Sequence, residues 1–247
     1  MIRITAAIAL SALALGTAQA QEPVKPMAVV VAVAHPDDEL FMAPAIAALM
    51  REGHSVTIVH ATPGDAGPGV SGLPTGEILA KTRKVEARCA GRELGGAAVV
   101  NLEFGDGKLA EQVRNGSLAK ALAGHVAGAD LVLTWGPDGG YGHADHRLVS
   151  AITTQIVQAR PADDRPKLLY VGIPNGSLPP VQDMADWATT DSALLTESIS
   201  YTPADLAAAK TAALCHATQF DFGTQAGMMP LFDATMWRGK VHFRPAF

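Results

Sequence analysis

Cysteine, charge and aromatic side chains are all sparse in this chain: two cysteines in 247 residues, 17% Asp, Glu, Lys and Arg, and 5% Phe, Trp and Tyr. Cys89 and Cys215 lie far apart and neither belongs to a metal-type spacing, which excludes a cysteine-held metal. A domain of this length needs no staple, so the expectation is two buried thiols acting as small hydrophobes, with a disulfide between them left open by the sequence. Lys/Arg runs are missing and the net charge is -5. That argues against nucleic acid or an anionic membrane as partner and favours a small or neutral one. No G-x-G-x-x-G follows the first apolar run, so a nucleotide-binding Rossmann domain is a poor reading.

Long apolar runs are also missing, apart from the start. "MIRITAAIALSALALGTAQA" has an early cation at Arg3, an apolar stretch to about Leu15, and Ala18 and Ala20 around Gln19. This is the layout of a secretory signal peptide over residues 1–20, and the run is too short for a membrane anchor. The expectation is an exported protein, periplasmic or extracellular. Losing Arg3 with the leader takes the net charge to -6. "QEPVKP", residues 21–26, reads as a short linker, and 27–247 as one α/β domain with enough chain for a substantial core.

What is present is a series of apolar strands: Met27 to Ala34, Ser55 to Thr62, Ala97 to Leu102, Asp130 to Trp135 and Lys167 to Ile173. They are near-continuous rather than alternating, as parallel strands covered on both faces are. Helix-length segments separate them. Residues 40–53 end in Gly53 as a C-cap, 77–96 read as an amphipathic helix, and 109–128 as another that Gly116 weakens. Further on, 193–201 suggests a late strand and a helix starts near Pro203. The β-α-β-α order implies a single Rossmann-like domain with a mostly parallel, doubly wound sheet.

Two loops are long and rich in Gly and Pro, Thr62 to Glu77 and Gly136 to His146, and both follow predicted strands. Loops of that length are usually functional, and in open α/β sheets ligands bind at that edge. "AHPDDE" follows the first strand and "YGHADH" the fourth. In a 3-2-1-4-5 strand order these two motifs meet. Among His35, Asp37, Asp38, His143, Asp145 and His146, two imidazoles and a carboxylate make a three-ligand zinc site with a fourth position open to water. The acidic run could instead complement a helix N-terminus, but that leaves His35 and the second cluster unexplained.

These motifs resemble those of the PIG-L/LmbE-like zinc-dependent deacetylases, which remove acetyl groups from N-acetylglucosamine-containing conjugates. The resemblance continues through "TRKVEA" (Arg83, Glu86), "FGDG" (Asp106) and "KTAALCHATQ" (His216, Gln219). It implies metal ligands His35, Asp38 and His146, with Asp37 as the base for a zinc-activated water. It implies His143 as oxyanion stabiliser or proton donor, tuned by Asp145, Tyr141 at the substrate carbonyl, and Arg83 and Asp106 as sugar-site residues. Glu39 is then a residue behind the ligands. The substrate implied is a small N-acetylated sugar or glycoconjugate, and the metal Zn²⁺, although Fe²⁺, Co²⁺ or Ni²⁺ also suit a His/Asp/His set. The chain departs from the family in having Ala144 where Pro is common, and His242 where relatives often carry Glu.

Two other readings compete. One keeps the metal and changes the amide, to a thiol conjugate or a longer acyl chain; the loop from Thr62 to Glu77, with few large apolar residues, argues against it. The other, a sugar-binding module without catalysis, predicts eroded ligands, and these are intact. His54, His60 and His125 have no partner motif and read as surface or satisfied core histidines. The assembly state stays open.

Overall fold

The computed structural model describes residues 25–247, so the leader and linker residues 21–24 lie outside the described residues. Five apolar runs form parallel strands: β1 (Ala28–Val33), β2 (Ser55–His60), β3 (Ala98–Asn101), β4 (Leu131–Trp135) and β5 (Lys167–Val171). Two later strands complete the sheet, β6 (Glu197–Ser200) and β7 (Lys240–Pro245). The order is β3-β2-β1-β4-β5-β7-β6, with β7 antiparallel to both its neighbours. The expected doubly wound α/β domain is therefore present, with an antiparallel edge.

Burial on both faces explains the continuous apolar runs. On β1, Val29, Val31 and Val33 enter one core, while Val30, Ala32 and Ala34 at its end enter the other. The first core is closed by α1 (Ala43–Arg51), α2 (Glu77–Glu93), α6 (Pro203–Leu214) and α7 (Phe222–Phe232). The second is closed by α3 (Leu109–Arg114), α4 (Ser117–Val126) and α5 (Ala144–Gln158).

Three local readings are corrected. Residues 109–128 form two helices, because Gly116 takes φ +77 and caps α4, a left-handed conformation that breaks the helical ladder. Residues 40–53 are not one helix either: Asp38–Met42 is a 3₁₀ turn leading into α1. Cys89 and Cys215 are not free thiols but a disulfide, with Cα atoms 5.8 Å apart. The sequence could not reveal this pairing, because α2 and α6 come together only through the tertiary fold.

Candidate functional site

β1 and β4 are adjacent, with Val29 opposite Leu131 and Ala32 opposite Thr134, so the loops after them share one crevice. His35, Asp37 and Asp38 come from the first loop. His143 caps the N-terminus of α5 by accepting the Asp145 N–H at Nδ1 (3.2 Å), and His146 lies one turn in.

Hydrogen bonds fix how each imidazole faces. His146 Nδ1 donates to the Gly139 carbonyl (3.1 Å), which turns Nε2 towards Asp38 Oδ1 at 3.0 Å. His35 Nε2 donates to Asp106 Oδ1 (3.0 Å), and Asp145 Oδ2 stands 3.6 Å from the same nitrogen. His35 Nδ1 then faces His146 Nε2 at 3.2 Å and Asp38 Oδ2 at 3.7 Å. Nitrogens this close need a proton or a metal cation between them, since two facing lone pairs repel. The donor set therefore fits a divalent metal held by His35, Asp38 and His146, with carboxylates behind a ligating histidine as such sites commonly have.

The electrostatics agree. Burial pulls the His35 pKa down, but the bonds to Asp106 and Asp145 and the Asp38 charge outweigh it and push it up to about 10. Burial pushes Asp38 up, but the His146 charge and hydrogen bond hold it well below the usual carboxylate range. The pocket is built to stabilise positive charge. His143 also lies within reach of the pair His35 and His146, and burial followed by those two neighbours holds its own pKa down. With Nδ1 accepting from the helix, its proton belongs on Nε2.

Asp37 adopts φ +105, uncommon for a residue with a side chain. Its N–H donates to Glu39 Oε2 (2.9 Å), and Glu39, wholly buried, is itself gripped by His60 Nε2 (3.0 Å) and His216 Nε2 (2.7 Å). Burial raises the Asp37 pKa to about 6, with Asp38 and Glu39 adding to the rise and Arg83, 3.3 Å away, opposing it.

Arg83 is buried rather than presented to a ligand. It donates to the carbonyls of Pro36 and Gly64 and pairs with Asp37. Gly64, at φ +70, is required there because a Cβ would lie 2.1 Å from the guanidinium. Asp106 likewise spends its oxygens on His35 and the Ala66 N–H. Both pair with residues of the site, Arg83 with Asp37 and Asp106 with His35. Tyr141 is half-exposed, edge-on to His146 with ring centroids 5.1 Å apart. Burial and the nearby carboxylates push its phenol up.

Sequence reasoning read His60 as a surface or satisfied core histidine and His216 only as part of a motif. Both hold Glu39. The available signal was a histidine closing the buried apolar end of β2, after Ile58 and Val59. Glu86, from the same motif as Arg83, accepts from the Thr218 N–H and hydroxyl (2.8 and 2.6 Å). Arg83, Glu86 and Cys89 thus form one face of α2 that ties the site loops to residues 215–219.

Residues 30–157 match the sequence profile of the PIG-L family, described as GlcNAc-PI de-N-acetylase. The chain is 32% identical over 151 residues to the 1D-myo-inositol 2-acetamido-2-deoxy-alpha-D-glucopyranoside deacetylase of Rhodococcus erythropolis, covering 51% of each. It thus spans about half the length of the curated relatives it matches. Among solved structures it resembles the N,N'-diacetylchitobiose deacetylase of Pyrococcus horikoshii (TM-score 0.66, 20% identity, 91% of this chain and 86% of that one). It also resembles GalB, the 4-carboxy-2-hydroxymuconate hydratase of Pseudomonas putida KT2440 (TM-score 0.61, 16% identity, 90% and 97%). These likenesses concern the fold. A hydratase among them makes clear that the reaction has to be argued from the site.

Proposed function

We propose that this chain, which belongs to the PIG-L family, is an exported metal-dependent hydrolase that cleaves the N-acetyl amide of an N-acetylglucosamine-type sugar or glycoconjugate. The observation that carries this reading is the convergence of His35 Nδ1, Asp38 and His146 Nε2 within 3.0–3.7 Å of one another, beside a carboxylate whose pKa is raised to about 6. The deacetylase names of its relatives support it. Zn²⁺ or another divalent ion on those three ligands would acidify a water and polarise a carbonyl.

The chain's own residues supply the rest. Asp37 takes the proton from the attacking water, and a base with a pKa near neutrality suits that task. Arg83 keeps this buried carboxylate ionised enough to act. His143 Nε2–H stabilises the oxyanion, assisted by the Tyr141 hydroxyl, and the proton that Asp37 took from water passes to the departing nitrogen. Asp106 and Asp145 hold His35 in the tautomer that presents Nδ1. Export is supported by the disulfide, since such bonds persist in oxidising compartments.

The test is acetate release by residues 21–247, reconstituted with zinc, from N-acetylglucosamine monomers, oligomers and conjugates. Release that a chelator abolishes is the expected result. No release from any of them, with the metal bound, would overturn the substrate reading.

A further inference from the structure

A cleft of about 790 Å³ opens directly from the site, with Asp37, Asp38 and Tyr141 among its walls. Which half of the amide fills it follows from the proton transfers. Asp37 lines the cleft and His143 does not, and it is Asp37 that returns a proton to the departing nitrogen. The amine half therefore lies on the cleft side of the carbonyl. An acetyl methyl would fill little of this volume, whereas clefts of this size enclose ligands larger than one sugar. The sugar enters it together with whatever the sugar carries.

The walls divide by chemistry. Gln219 donates within the chain, to the Gly67 carbonyl and the Thr218 hydroxyl (3.0 Å each), and its Oε1 accepts from no group among the described residues. Thr224 donates its hydroxyl to Asp221 Oδ2 (3.1 Å) and can still accept. Both present acceptors to the cleft, which suits sugar hydroxyls. The rest is apolar: Met184 and Trp187 from the loop before β6, Met228, Leu231 and Phe232 from α7. Phe41 packs against Trp187 at 4.9 Å and Phe232 at 5.2 Å, which joins the two groups into one surface.

The charged groups are all of one sign. Asp37, Asp38 and Asp183 line the cleft, and no Lys, Arg or His does. Arg83 is spent on Asp37 and on the carbonyls of Pro36 and Gly64. A divalent ion on His35, Asp38 and His146 would be offset by Asp37 and Asp38. An anionic group brought into this cleft would lose water and meet a carboxylate in place of a cation.

We infer that the substrate is an N-acetylglucosaminide with an uncharged, apolar aglycone seated against Met184, Met228 and Leu231, and that this cleft turns away conjugates carrying phosphate or carboxylate. The inference rests on the deacetylase reading and names the part of the substrate that this reading leaves open. Water adds to the acetyl carbonyl, the C–N bond breaks, acetate leaves, and the amine keeps its aglycone and takes the proton from Asp37.

The experiment compares acetate release by the zinc-reconstituted protein from the methyl, hexyl and 5-carboxypentyl glycosides of N-acetylglucosamine. Each buried methylene is worth about fourfold, so hexyl should exceed methyl in kcat/KM by at least about tenfold. Carboxypentyl, of like length but ending in a carboxylate, should fall below hexyl by at least about tenfold. Met228→Lys, which puts a cation on a half-buried wall of the cleft, should narrow that gap by about fivefold. Trp135 and Trp187 line the cleft, so quenching of tryptophan fluorescence reads binding of the amine products without turnover. Hexyl glucosaminide should bind at least about tenfold more tightly than methyl glucosaminide. Methyl equal to or faster than hexyl overturns the apolar aglycone and leaves the deacetylase reading standing. Carboxypentyl equal to hexyl overturns the selection against anions. No acetate from any of the three, with metal bound, overturns the deacetylase reading and this inference with it.

Discussion

Asp37 concentrates the strain and the chemistry of the site in one residue. A left-handed backbone at a residue with a Cβ costs on the order of 1–3 kcal/mol, and the Glu39 carboxylate holds it by accepting its N–H. Glu39 is fully buried between two imidazoles, so Glu39→Ala leaves His60 and His216 without their partner. Breaking a buried pair in this way should cost about 3–5 kcal/mol, read by denaturant unfolding, and release the Asp37 turn. Asp106 makes a different kind of contribution: it touches only the outer nitrogen of His35 and the loop at Ala66. Asp106→Ala should weaken metal affinity by about 10- to 100-fold, measured by competition with a chelator, while the fold persists. Residues inside the short motifs, from His35 to Asp38 and from His143 to His146, are legible in the sequence because a few positions of spacing decide their geometry. Glu39's partners are not legible: His60 and His216 come from the end of β2 and the turn after α6, and only the fold brings them together.

Among the elements, those with one dominant physical signal could be read directly. The five parallel strands are apolar runs buried on both faces, and α6 announces itself with Pro203 and a Thr202–Asp205 capping box. Gly116 splits α3 from α4 because a single left-handed residue outweighs the helical pattern on either side. β7 was hidden because its apolar positions alternate with Lys240, His242 and Arg244 and it enters the sheet antiparallel between β5 and β6. α7, with Pro230 inside it, shows little apolar periodicity because it faces the cleft as well as the core. The disulfide joins α2 to the end of α6 across 126 residues of chain. Opening it with a Cys89→Ala, Cys215→Ala pair should cost about 2–5 kcal/mol, seen as a lower Tm that reductant no longer changes. An unchanged Tm would mean that Arg83, Glu86 and the cores hold α2 against α6 without it.

For the whole molecule, the sheet order sets the function. Placing β1 beside β4 brings the two motifs to one edge, and covering the sheet on both faces leaves that edge as the opening. The strand order 3-2-1-4-5 and the two-motif crevice both follow from the sequence pattern. The cleft of about 790 Å³ beside Asp37 and Asp38 does not, because its walls come from the turn after β1, β4, the loop before β6 and α7 rather than from one stretch of chain. The central claim is a division of labour at that edge: His35, Asp38 and His146 hold a metal, and Asp37 moves a proton. The most direct test is to measure bound metal and amide hydrolysis together in Asp37→Ala and His146→Ala. Asp37→Ala should keep its metal and lose at least about 100-fold in rate, whereas His146→Ala should lose both. An Asp37→Ala protein without metal, or a His146→Ala protein that binds it fully, would contradict the account.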